Sequence, residues 1–102
     1  MVNEFIEVYE SSAFSKLSSS QQRYSLREVF INLNHIVCFR EDFSFCEKLK
    51  DGVLPKDLDK RQRFTRLHLN RGNVGIDVIV VGDPNVIKNK IIFTGGVIDD
   101  SV

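Results

Sequence analysis

Arg63-Phe-Thr-Arg-Leu-His-Leu-Asn-Arg-Gly-Asn-Val-Gly-Ile-Asp-Val-Ile-Val-Val-Gly-Asp-Pro-Asn-Val-Ile-Lys-Asn-Lys-Ile-Ile92 is the stretch that decides the fold. From Phe64 to Asn70 the residues alternate. Thr65, Leu67 and Leu69 share one face, and Phe64, Arg66 and His68 share the other, as a half-buried strand requires. Arg71-Gly72-Asn73 supplies a tight turn with residues that tolerate positive φ. Val74 to Val81 resumes the alternation, with Val74, Ile76, Val78 and Val80 on one face. The opposite face runs Gly75, Asp77, Ile79, Val81. It begins polar and ends apolar, which predicts that the later half of this strand is covered on both sides. Gly82-Asp83-Pro84 then opens a helix. Asp83 is the N-cap, and Pro84 takes the first helical position, where its missing N–H costs nothing. Val86, Ile87 and Ile91 give that helix an apolar stripe.

Working toward the N-terminus, His35 to Glu41 and Leu26 to Ile31 read as two further strands, separated by Asn32-Leu33-Asn34. Asparagine favours such turns because its side chain bonds the nearby backbone. Val2 to Tyr9 reads as a first strand, and Ser11 to Gln22 as a Ser-rich loop in which Phe14 and Leu17 might at most pin a helical turn. Between the third strand and the hairpin, residues 42–63 form an insertion. It holds a short helix capped by Asp42 and ended by Asp51-Gly52, then a charged and exposed run from Lys56 to Arg63. Residues 95–102 are expected to fray. The expectation is one domain over 1–102 of α+β class, mostly β: a small antiparallel sheet of about five strands with a short C-terminal helix.

Composition narrows function more than it names it. Fourteen basic residues balance fourteen acidic ones in a chain of 102. That weakens any case for tight non-specific nucleic-acid binding, which needs many neutralised phosphates. No apolar run approaches the ~18 residues of a membrane span. Met1-Val2-Asn3-Glu4 lacks the pattern of a signal peptide, and Cys38 and Cys46 are too few for a disulfide framework. A cytoplasmic protein with reduced thiols and no membrane partner is expected.

The segments Arg27-Glu-Val-Phe-Ile-Asn-Leu-Asn-His-Ile-Val37, Thr65-Arg-Leu-His-Leu-Asn-Arg-Gly-Asn-Val74 and Asp83-Pro-Asn-Val-Ile-Lys-Asn-Lys-Ile91 together resemble the small FlbD-like (flagellar, swarming-motility) modules of bacteria and phages. The resemblance spans about residues 27–92 and is one of element order. It implies a non-enzymatic accessory role and carries over no functional residue.

Several chemistries are tested against this pattern. His35, Cys38, Cys46 and His68 are zinc-ligating types, but His35 and Cys38 lie three apart in a strand and point to opposite faces, and no Cys-x-x-Cys exists. No metal or other cofactor is expected. Cys38 and His68 sit on strands able to neighbour each other, but both thiols lie among Phe and Val, so no catalytic residue is assigned. Asp83 fills its helix N-terminus with its own charge and leaves no anion site there. Phe64, Arg66 and His68, flanked by Arg61, Arg63 and Arg71, could stack a base and pair a phosphate, or be a solvated strand face whose arginine pairs across to an acidic neighbour.

Apolar residues on both faces of three strands are more than one helix and one loop obviously cover. Val29, Ile31, Val37, Phe39, Phe43 and Phe45 are therefore candidate interface residues, and the partner is a second copy or another protein. The reading is a non-catalytic, homo-oligomeric adaptor or regulator whose binding is little affected by salt. The alternative is a nucleotide or RNA binder, such as a phage-encoded sponge for a nucleotide signal, whose affinity falls with salt and with Arg66→Ala or Arg61→Ala.

Overall fold

The computed structural model describes residues 2–11 and 22–95. Five strands form one antiparallel sheet: β1 (Val2–Glu10), β2 (Tyr24–Asn32), β3 (Ile36–Glu41), β4 (Phe64–Arg71) and β5 (Val74–Val81). Their order is β2-β1-β5-β4-β3. Helix α1 (Ser44–Lys50) follows β3, and α2 (Pro84–Gly95) follows β5. The class is α+β, mostly β. The expected Ser-rich loop, apart from its ends, and the expected tail beyond Gly95 lie outside the described residues.

Among the described strands β2 and β3 are the two edges of the sheet, yet only a 3-10 turn at Leu33–His35 separates them. Four strand spacings of about 4.8 Å would hold the edges of a flat sheet about 19 Å apart. The four residue-to-residue steps from Asn32 to Ile36 reach at most about 14 Å. The sheet therefore coils until its edges approach. Two local devices serve this. Asn32 Oδ1 accepts the Asn34 N–H at 3.0 Å and pins the turn. A register shift between Ile36 and Cys38 marks a bulge at Val37, a feature that bends a strand and increases its twist.

The hairpin has Arg71 paired with Val74, leaving a two-residue loop of Gly72 and Asn73. Gly72 has φ +64°, the sign a type II′ turn needs at its first loop position. Asp83 Oδ1 accepts the Val86 N–H at 3.0 Å and caps α2. The chain turns into that helix at Gly82, whose φ is +120° and where a Cβ would come within 3.3 Å of Val86 Cγ1. Thr65 Oγ1, buried beneath, donates to the Gly82 carbonyl at 2.8 Å.

Each face of the sheet has a core. On one face α2 lays Ile87 over Phe5, Ile31, Leu67, Leu69 and Val80. On the other, α1 and the loop after it lay Phe45 and Leu54 over Val8, Phe64 and Ile79. The Phe45 ring meets Tyr24 edge-on at 5.2 Å and Phe64 at 5.9 Å, between ring centroids. The Val53 carbonyl accepts both Arg23 N–H and Tyr24 N–H, tying the insertion to β2. The second half of β5 is covered on both sides, as its pattern predicted: Ile79 and Val80 are buried while Val74 to Asp77 are exposed. Residues 42–63 are thus the lid of the second core.

Candidate functional site

The polar face nominated in the sequence lies where β3, β4 and β5 run side by side. Cys38, His68 and Asp77 are direct cross-strand neighbours, as are Arg40, Arg66 and Ile79. Arg66 grips two carboxylates. Its Nη2 and Nε reach Asp42 Oδ2 at 2.7 and 3.0 Å, and its Nη1 reaches Asp77 Oδ2 at 3.2 Å. The other Asp77 oxygen accepts from His68 Nδ1 at 2.7 Å, so the ring carries a proton on Nδ1. His68 Nε2 is buried and has no hydrogen-bond partner among the described residues.

Asp42 joins this face to α1. Its Oδ1 accepts from the Phe45 N–H at 3.1 Å and from Ser44 Oγ at 2.5 Å. Burial alone would raise the carboxyl's pKa. Hydrogen bonds from Ser44, Arg66 and the Phe45 N–H, with the charge of Arg66, outweigh burial and hold it below the usual value. The hydrogen bond to Asp42, joined by the one to Asp77, outweighs burial and raises the Arg66 guanidinium further above its ordinary value. The bond to Asp77 on β5 is the cross-strand pairing of Arg66 that competed with a phosphate-binding role.

The neighbouring cations are engaged as well. Arg63 donates to both oxygens of Glu41 at 2.6 and 2.7 Å and lies 3.3 Å from Asp83. Arg61 is 3.5 Å from Asp59, on a largely exposed side chain. Arg71, at the hairpin end, is exposed and has no ion-pair partner among the described residues. Phe64 corrects the sequence reading. It is fully buried, because α1 covers the face it shares with Arg66, and it presents no ring to a base. Of the candidate ligand-binding residues, the strands bring Arg66 and His68 together, and Phe64, Arg61, Arg63 and Arg71 do not join them in one open site.

The candidate interface residues divide in the same way. Ile31 and Phe45 are core residues, a second correction, since α2 and the insertion cover the faces on which they lie. Val29 and Phe39 are half-buried against the first core. Val37, displaced by the bulge, and Phe43 remain exposed, at 66% and 69%.

The thiols do not complete a nucleophilic site. Cys38 faces His68 across the strands, but its polar neighbour is Arg40, whose Nη2 lies 4.0 Å from Sγ. Cys46 packs against the second core and lies 3.9 Å from the Gln62 carbonyl. Among the described residues no three His, Cys, Asp or Glu side chains converge as a metal ion requires.

The sequence reading missed a site within the insertion. Leu49, Leu54, Pro55 and Leu58 line a groove of about 400 Å³, and Lys50, Lys56 and Lys60 also line it. No acidic side chain among the described residues does. Lys50 reaches Glu47 at 3.6 Å in an exposed pair, whereas Lys56 and Lys60 have no ion-pair partner among the described residues. Pairs as exposed as Lys50–Glu47 hold little energy. The groove therefore presents an apolar floor inside a positive rim. Its signal was present in the chain: Leu54 and Leu58 stand four apart, interrupting a charged run that otherwise reads as a solvated loop.

Comparison with known proteins finds no matching family model, no matching curated protein and no matching solved structure.

Proposed function

We propose that the protein is a non-catalytic binding module that docks an acidic, leucine- or phenylalanine-bearing peptide segment of a partner protein in the groove of residues 49–60. The observation that carries this reading is the lining itself, with apolar side chains from α1 and the following loop ringed by three lysines and, among the described residues, no carboxylate. Concave sites that bury apolar side chains and fix orientation with a few charges are the usual form of such recognition. A fixed groove also favours affinity, because Leu54 is anchored in the second core and the loop is tied to β2 through Val53. A non-enzymatic role agrees with what the resemblance to the FlbD-like modules implies.

The neutralised arginines support the nucleotide reading less well. Arg66 and Arg63 would have to abandon two carboxylates each before meeting a phosphate. The lysine rim also alters the expected salt response. With two or three partly screened charges, binding weakens on the order of a few-fold between dilute and half-molar salt, short of the steep loss seen with nucleic acid.

The test is a titration of a fluorescent peptide of alternating acidic and leucine residues. Saturable binding that falls at least about ten-fold in the Lys56→Glu/Lys60→Glu variant, and that Arg66→Ala leaves unchanged in a folded sample, is expected. Equal binding by the charge-reversed variant, or binding to nucleotides abolished by Arg66→Ala, contradicts the proposal.

A further inference from the structure

Helix α2 does not cover the whole of its face of the sheet. On the part that the described α2 side chains leave open, a second cavity of about 450 Å³ lies between β2 and the β4–β5 hairpin. Its apolar lining comprises Val29, Phe30, Ile31, Leu69, Ile76 and Val78, and no described α2 side chain contributes. Val29, Ile31, Leu69 and Val78 also belong to the first core or pack against it, so this wall is a continuation of the core left open to one side. Ile76 is 45% exposed although Val29, Ile31, Leu69 and Val78 beside it are largely covered.

The polar lining is chemically one-sided. Glu7 is the acidic group in it, and its Oε1 already accepts from Arg27 Nε at 2.9 Å. That contact raises the Arg27 pKa. Arg71 brings a guanidinium with no ion-pair partner among the described residues. Beside it, His35 Nδ1 lies 2.9 Å from the Asn70 carbonyl, which fixes the ring at the cavity. Asn32 has its side-chain oxygen committed to the Asn34 N–H, so its amide N–H groups are what it presents. An open apolar wall with a free guanidinium and amide donors at one end matches an apolar molecule bearing a single carboxylate. Guanidinium binds carboxylate through two parallel hydrogen bonds, and the volume falls within the range of about 300–1,000 Å³ usual for small-ligand sites.

We infer that this cavity binds a small organic carboxylate with an apolar tail, its carboxylate on Arg71 and its tail against Val29, Leu69, Ile76 and Val78. The site is separate from the lysine-rimmed groove, and each stands or falls without the other. Straight-chain carboxylates from hexanoate to decanoate, held below their micelle concentrations, serve as probes in calorimetric titrations of the intact protein. Affinity should rise by about four-fold for each methylene that reaches apolar wall. Arg71→Gln should weaken decanoate about ten-fold and leave 1-decanol unaffected. Ile76→Glu, at an exposed position, should weaken both. Circular dichroism spectra and melting curves matching the parent would establish that both variants fold. Absence of saturable decanoate binding to the parent protein overturns the inference. So does decanoate binding that Arg71→Gln leaves intact, or that Lys56→Glu/Lys60→Glu removes, since either result places the ligand elsewhere.

Discussion

At the scale of single residues, Asp42 and Arg66 hold more of this molecule together than any surface count of charges would suggest. Asp42 is buried, caps α1 with one oxygen and binds Arg66 with the other. Removing it strands a half-buried guanidinium and an uncapped helix start, so Asp42→Ala should lower unfolding free energy by about 2–4 kcal/mol in urea titrations. Arg66→Ala should cost stability too, since it leaves the buried carboxylate without its cation. The network also sets an acid response. The folded Asp42 carboxyl binds its proton less readily than the unfolded one, whose pKa is about 3.9. Its stabilisation is therefore complete above that value and drains as pH falls through it toward the lower folded value. Asp42→Asn should flatten the acid limb of a stability-against-pH curve, and an unchanged limb would show that the network contributes nothing there. Arg66 was legible as a notable residue from its place in the β4 alternation, but its acceptor Asp42 lies 24 positions away. No local pattern indicates that such a pair will meet.

At the scale of elements, the hairpin and the capped helix were the most legible parts, because their signals are local. Alternation, a glycine in a two-residue loop and an Asp-Pro helix start each act within a few residues. Their expected energies are correspondingly local. Asp83→Ala should cost about 1 kcal/mol, and Gly72→Ala, which puts a side chain at φ +64°, about 1–2 kcal/mol; thermal melts resolve both. The insertion was harder to read. Its short helix ending near Gly52 emerged as expected, with Gly52 at φ +78° and with Asp42, one residue ahead of the N-cap Phe43, accepting the Phe45 N–H. What its apolar side chains touch could not be read, because Phe45 and Leu54 find their partners on β1, β4 and β5. That long-range packing is also why Phe64 was misplaced. In a strand whose other face has a core, Phe64 beside Arg66 and His68 reads as a surface residue until a lid is known to cover it. Phe64→Ala should therefore cost about 3–5 kcal/mol as a core truncation, where a solvent-facing ring would cost far less.

At the scale of the whole molecule, two cores on one coiled sheet change the argument for self-association. Apolar strand faces seemed too many for one helix and one loop, but α2 takes one face and residues 42–63 take the other. What stays exposed includes Val37, Phe43 and Val74, with Phe30 and Ile76 at the open cavity beside β2. Coiling was hidden from the sequence because a short turn between β2 and β3 does not say where they lie in the sheet, and they are its opposite edges among the described strands. The same coiling, with the loop folded over the second face, leaves the lysine-rimmed groove at the surface. The central claim is that this groove is where a partner docks. Amide chemical-shift mapping of the isotopically labelled protein during titration with the acidic leucine peptide tests it most directly. The account predicts shifts concentrated in residues 49–60, and their loss in Lys56→Glu/Lys60→Glu. Shifts centred instead on Arg66, His68 and Asp77, or no saturable shifts in any segment, would contradict it.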